Sequence, residues 1–200
     1  MTEQEDIVEL PQIPADAPQW VQNLPSNGRF LDRTKFYDIT GHLLFDSLLN
    51  SNGIRHFYFF VGTEKQTEPT NNVSSNSSES QDATSQLYEE VRVAFHLGDG
   101  VCGHKGIVHG GLTATMIDEV SGAAAFRSIG PCFTANLNVD YKKPLLTPAW
   151  VLVRAHVERV DGRKAYIHAS VENGEDEIYA KAVVLYIKPK KPVEETIDQK

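Results

Sequence analysis

Cysteine is scarce in this 200-residue chain. Cys102 and Cys132 are the only two, too few for a disulfide scaffold, and their rarity fits a reducing compartment. Long apolar runs are missing as well, and without about 18 consecutive apolar residues no stable membrane insertion is expected. Nor is there an excess of bases. The chain has 19 Lys and Arg against 27 Asp and Glu, a formal net charge of −8, which sets aside a phosphate-seeking nucleic-acid binder. No Gly-x-Ser-x-Gly elbow is available for a serine hydrolase, and no Walker A loop occurs. His96, His104 and His109 with Cys102 invite a metal reading, but no CxxC or HxxxH pair supports it, so no metal is expected. The acidic opening MTEQEDIVEL has neither the apolar core of a secretory signal nor the Arg-rich helix of a transit peptide. A cytoplasmic protein is expected.

What is present suffices for one core. Hydrophobic residues make up 40% of the chain, in line with a single domain plus polar extras. The negative charge is concentrated at the front: residues 1–86 carry −7 and residues 87–200 carry −1. Prolines at 11, 14, 18 and 25 and the lack of any period mark residues 1–38 as an extended arm, with Trp20 and Leu24 as its anchors. Residues 39–190 read as the domain, interrupted at 66–86 by a Ser/Asn-rich insertion with little to bury, expected as a disordered hairpin loop. Residues 191–200 read as a tail. Asp38 or Thr40 is a candidate cap for a short helix through residues 41–50, with Leu44, Leu48 and Leu49 on one side.

Beyond it, the pattern predicts strands over 54–61, 91–97, 133–141, 150–160, 164–172 and 177–188. Asp161-Gly162 and Asn173-Gly174 serve as hairpin turns. One long helix candidate runs from Gly110 to about Phe126. A single helix followed by consecutive antiparallel strands is an α+β arrangement.

That helix carries the chemistry. Leu112, Met116, Ile117, Val120, Ala123 and Ala124 fall on one apolar face, expected to pack on a sheet. Gly111, Thr115, Asp118, Gly122 and Ala125 form a second stripe of small residues with one carboxylate in it. The Gly-Gly start offers backbone N–H groups at the positive end of the helix, suited to a carbonyl or oxyanion. Gly110 and Asp118 are separated by about 12 Å at 1.5 Å rise per residue, too far to act on one carbonyl. If both serve one reaction, the second group comes from another copy of the chain, with two helices antiparallel about a two-fold axis.

His109-Gly110-Gly111 followed by Asp118, then the run TANLNVDYKKP from Thr134 to Pro144, then VDGRK from Val160 to Lys164, resembles the hotdog-fold acyl-CoA thioesterases, with greatest likeness to the PaaI-type group and the animal thioesterase superfamily members 4 and 5. The likeness covers roughly residues 87–190. It implies a hotdog fold, an antiparallel sheet wrapped around one long central helix, and an active homodimer or homotetramer that hydrolyses acyl-CoA with no cofactor beyond the coenzyme A of the substrate. By the same resemblance Asp118, Thr134, His109 and Gly110 are the candidate catalytic residues. Asp118 acts as general base or direct nucleophile, Thr134 orients the water or carboxylate, and the Gly110 N–H polarises the thioester carbonyl. Gly111 and Asn136 are candidate substrate contacts. Arg163 and Lys164, after the Asp161-Gly162 turn, are preferred over Lys142 and Lys143 for the coenzyme A phosphates. Glu119 is expected as a surface charge or hydrogen-bonding support rather than a second base, and His104 as a turn-positioning or loop residue. A hotdog hydratase and a non-catalytic acyl-CoA-binding scaffold are the alternatives, and a mitochondrial address is the alternative by analogy.

Overall fold

The computed structural model describes residues 10–31, 40–62 and 88–191. The insertion expected at 66–86 lies outside the described residues, as does Asp38. Strands β1 (Arg29–Leu31), β2 (Ile54–Gly62), β3 (Glu90–Leu97), β6 (Phe133–Tyr141), β7 (Ala149–Asp161), β8 (Lys164–Glu172) and β9 (Ile178–Ile187) form one antiparallel sheet, in the order β1-β2-β3-β7-β8-β9-β6. Between β3 and β6 lie a small hairpin, β4 (Cys102–His104) and β5 (Ile107–Val108), and one 20-residue helix, which is α2 (Gly110–Ile129) because a five-residue α1 (Gln19–Asn23) precedes it. This is the expected α+β hotdog architecture. No helix among the described residues is long and apolar enough to cross a membrane.

The sheet holds the helix because its inner face is graded in size. Strand alternation lines up Ala155, Ala169 and Ala182 as one cross-strand row. The next row, Val153, Val171 and Ala180, is again small on the far side. These rows leave a trough in which Met116, Ile117, Val120, Ala124 and Ala125 of α2 are buried. Full burial of a side chain such as Ile117 contributes about 2 kcal/mol. Ala125, assigned by its spacing to the small-residue stripe and not to the apolar face, is buried, and so are Thr113 and Ser121. The contact face of α2 is therefore broader than its aliphatic residues suggest. The helix also runs three residues beyond Phe126. It stops where Gly130 takes φ +76°, donating its N–H to the Phe126 carbonyl at 2.8 Å, and Pro131 follows.

Two expectations for the front of the chain change. The described part of residues 1–38 is not simply extended: it contains α1, a 3-10 turn at Leu24–Ser26 and the edge strand β1. Ala17, Val21 and Leu24 bury themselves against Tyr58, Phe60, Ala94 and Leu152 on the outer face of the sheet, with Trp20 packed beside them. The segment after Thr40 is a π-type turn over Leu43–Ser47 instead of an α-helix. Its cap is His42, whose Nδ1 accepts from the Phe45 N–H at 3.4 Å. The wider turn places the consecutive Leu44 and Phe45 both in the core and leaves Leu49 exposed.

Candidate active site

His109 caps α2. Its Nδ1 accepts the Gly111 N–H at 2.9 Å, and its own N–H donates to the Val101 carbonyl at 2.9 Å. The two neighbouring glycines are required by that ring. A Cβ on Gly111 would lie 2.8 Å from Nδ1, and one on Gly103, in β4, would lie 3.0 Å from Cδ2. Gly110 sits between them at the first helical position, and its N–H has no partner among the described residues. The Tyr141 hydroxyl donates to the Gly110 carbonyl at 2.8 Å. Beside it opens a cavity of about 320 Å³ lined in part by Thr113, Tyr141, Lys142, Lys143 and Tyr179. His104 is exposed at the end of β4.

Two turns along α2, Asp118 meets the far edge of the sheet. Its Oδ1 accepts from the Thr134 hydroxyl at 2.7 Å and from the Tyr186 hydroxyl at 2.9 Å, while Oδ2 has no hydrogen-bond partner among the described residues. Thr134 is exposed and Asp118 half-buried, so the carboxylate opens outward along the free edge formed by β6. Tyr186 lies beneath them at 3% exposure. Burial, reinforced by the adjacent Asp118 charge, holds its phenol above the ordinary range, so it remains a donor.

A β-bulge sets this geometry. In β6, Thr134 pairs with Tyr186 and Asn136 with Leu185, leaving Ala135 as the extra residue. Thr134 thus shares the inner face with Leu137, three residues on, which a regular strand forbids. Asn136 shares a register position with Leu185 on the other face. The structure therefore brings Asp118 and Thr134 together and does not bring Asn136 to them. His109, Gly110 and Gly111 form a separate group at the start of the same helix.

Arg163 and Lys164 stand at the Thr134 end of the sheet, since Lys164, Ile187 and Phe133 form the row adjacent to Ala165, Tyr186 and Thr134. The Arg163 guanidinium donates to the Lys188 carbonyl at 2.6 Å. Lys142 and Lys143 lie at the Gly110 end, paired to Asp140 and Glu177. Glu119 Oε2 lies 3.3 Å from His42 Nε2, a contact between α2 and the residue that caps the Leu43–Ser47 turn. Tyr186 and Ser121 went unnoticed in the sequence, because strand alternation marks Tyr186 only as an inward residue. No group of three His, Cys, Asp or Glu arranged to hold a metal occurs among the described residues. The spacing Gly98-x-Gly100-x-x-Gly103 matches a dinucleotide loop in letters alone. The Gly98 and Gly100 amides are already bonded to the carbonyls of Gly53 and Asn52 at 2.7 Å, and only a three-residue 3-10 turn, Asp99–Val101, follows Gly98 in place of the α-helix that a dinucleotide loop opens.

A sequence profile of the thioesterase superfamily matches residues 105–180. The chain is 39% identical over 102 residues to the acyl-coenzyme A thioesterase THEM4 of Rattus norvegicus, covering 50% of this chain and 44% of that protein. It is 33% identical over 98 residues to a Pseudomonas aeruginosa protein provisionally named an esterase, covering 48% of this chain and 70% of that one. The chain thus spans less than half the length of the THEM4 relative. Among solved structures, zebrafish thioesterase superfamily member 2 aligns at 20% identity and a TM-score of 0.47, over 50% of this chain and 75% of its own.

Proposed function

The chain belongs to the thioesterase superfamily, and from that premise we propose that it hydrolyses acyl-CoA thioesters to the free acid and coenzyme A. The observation that carries this reading is the Asp118 carboxylate, held through Oδ1 by Thr134 with Oδ2 left open at the sheet edge. In the general-base route Asp118 takes a proton from water as the hydroxide adds to the thioester carbon. The tetrahedral intermediate then expels the coenzyme A thiolate, which is protonated on leaving. In the nucleophilic route Oδ2 adds to the thioester carbon and the coenzyme A thiolate leaves, and water opens the resulting mixed anhydride to give the free acid and restore the Asp118 carboxylate. The unpaired Gly110 N–H, at the positive end of α2, is suited to the oxyanion in either route. Because it lies about 12 Å along the helix from Asp118, the complete site combines the Gly110 end of one copy with the Asp118 of a second.

Thiol release from short, medium and long acyl-CoA esters tests the reading. Asp118→Asn should lower kcat by about a thousandfold with the oligomeric state unchanged. Tight binding of acyl-CoA without turnover by the wild type would instead identify a scaffold. Labelled oxygen from water appearing in Asp118 in a single turnover supports direct attack with water opening the anhydride at the Asp118 carbonyl, whereas label confined to the product is the pattern both of general-base attack and of opening at the acyl carbon.

A further inference from the structure

Three hydroxyls converge under the Asp118 carboxylate, and only Thr134 is accounted for by the reaction. Tyr186 stands directly opposite Thr134 across the β9–β6 pair, the cross-strand placement in which two side chains meet. Its hydroxyl lies 2.9 Å from Asp118 Oδ1 and 2.6 Å from the Asp118 carbonyl. On its far side it is 2.9 Å from the Ser121 hydroxyl, which also lies 2.6 Å from the Ile117 carbonyl. The phenol has a single proton; it is directed at Asp118 and shared between Oδ1 and the main-chain carbonyl, while the Ser121 hydroxyl, donating to the phenol oxygen, fixes where that hydroxyl can sit. The phenol ring is buried in the sheet, beneath the carboxylate and away from the open edge, so it does not reach a substrate.

We propose that Tyr186, oriented by Ser121, is a positioning residue that locks Asp118 Oδ1 together with Thr134 and thereby presents Oδ2 as the reacting oxygen. This rests on the reading of Asp118 as the reacting carboxylate. A carboxylate with one donor can swing about its last torsion. Two donors from adjacent strands on the same oxygen hold its plane, and the edge-facing oxygen stays aimed at incoming water or thioester. The contribution falls on the chemical step and not on binding, because Tyr186 bonds to the catalytic carboxylate from beneath and lies away from the substrate.

The test is Tyr186→Phe, which removes the oxygen and keeps the ring. Wild-type thiol release is measured first, and its absence for every acyl-CoA would remove the hydrolase reading and this inference with it. Given an active wild type, kcat of the variant should fall about tenfold or more, as for a lost hydrogen bond to a charged group. KM and Tm should stay near the wild-type values. On the Asp118→Asn background the same substitution should leave the residual rate unchanged, whereas general structural damage multiplies through both backgrounds. A folded Tyr186→Phe protein with wild-type kcat overturns the proposal, and so does an equal fall on both backgrounds. If Tyr186→Phe does not stay folded, Ser121→Ala takes its place. A several-fold fall in kcat with KM unmoved supports the proposal, and an unchanged kcat overturns it.

Discussion

Gly111 owes its identity to the imidazole that covers it. With only 2.8 Å between His109 Nδ1 and the position of a Cβ there, Gly111→Ala has to push the ring off the N-terminus of α2. Loss of the cap should cost about 1 kcal/mol, read as a lower urea midpoint with an unchanged slope. A second consequence at this scale concerns histidines on the outer face. His96 stacks on Trp150 with centroids 4.5 Å apart, and burial, Arg55 and His56 hold it below the ordinary histidine range, with Asp16 opposing. His156 stacks on His168 and is lowered by burial and by that neighbour, with Glu158 opposing. Both take up protons more readily when unfolded, so their stabilising effect is whole above about pH 6.5 and is lost as pH falls. Tm should drop between neutral and mildly acidic pH, and His96→Gln with His156→Gln should flatten that slope. Equal slopes for variant and wild type would remove these residues as the cause. Single residues were legible in the sequence where their chemistry is rare, as with Asp118 after a His-Gly-Gly start. Tyr186 and Ala125 were not, because their roles depend on which strand lies opposite and how closely the helix sits.

Among the elements, β6 departs most from its sequence pattern. Its range agrees with the alternation of apolar and polar residues, and so do those of β7, β8 and α2 to within a few residues. Period and turn residues carry that information. The bulge at Ala135 leaves no mark in composition, so two residues spaced like Thr134 and Asn136 read as neighbours on one face when the register separates them. The π-type turn after His42 was hidden for a similar reason, as side-chain capping by histidine resembles no common start signal. The β7–β8 turn yields a prediction of its own. Because Lys164 stands one row from Thr134, replacing Arg163 and Lys164 by Ala should raise KM for acyl-CoA about three- to tenfold. A short pantetheine thioester, which lacks the nucleotide phosphates, should be little affected. Equal changes for both substrates would take the turn out of phosphate recognition.

At the scale of the whole molecule, the sheet has two unlike margins. One ends in the three residues of β1, and the other in nine residues of β6, where Phe133 and Tyr141 are more than half exposed. An exposed strand of that length is a template for pairing, and the proposed shared site, with Gly110 of one copy and Asp118 of the other, would give such a pairing a catalytic purpose. Activity per chain should therefore fall on dilution, in step with dissociation followed by sedimentation. Full activity in a sedimenting monomer would rule out the shared site. The formal charge of −8 is no obstacle to an anionic substrate, because residues 87–200 account for only −1 of it. The unequal margins also bear on how far association through strand edges could go. In the terms of polymer chemistry, a protomer that pairs by its β6 edge alone would be monofunctional: two copies joined antiparallel there would spend both edges, and edge-to-edge growth would close on itself instead of running on into a fibre.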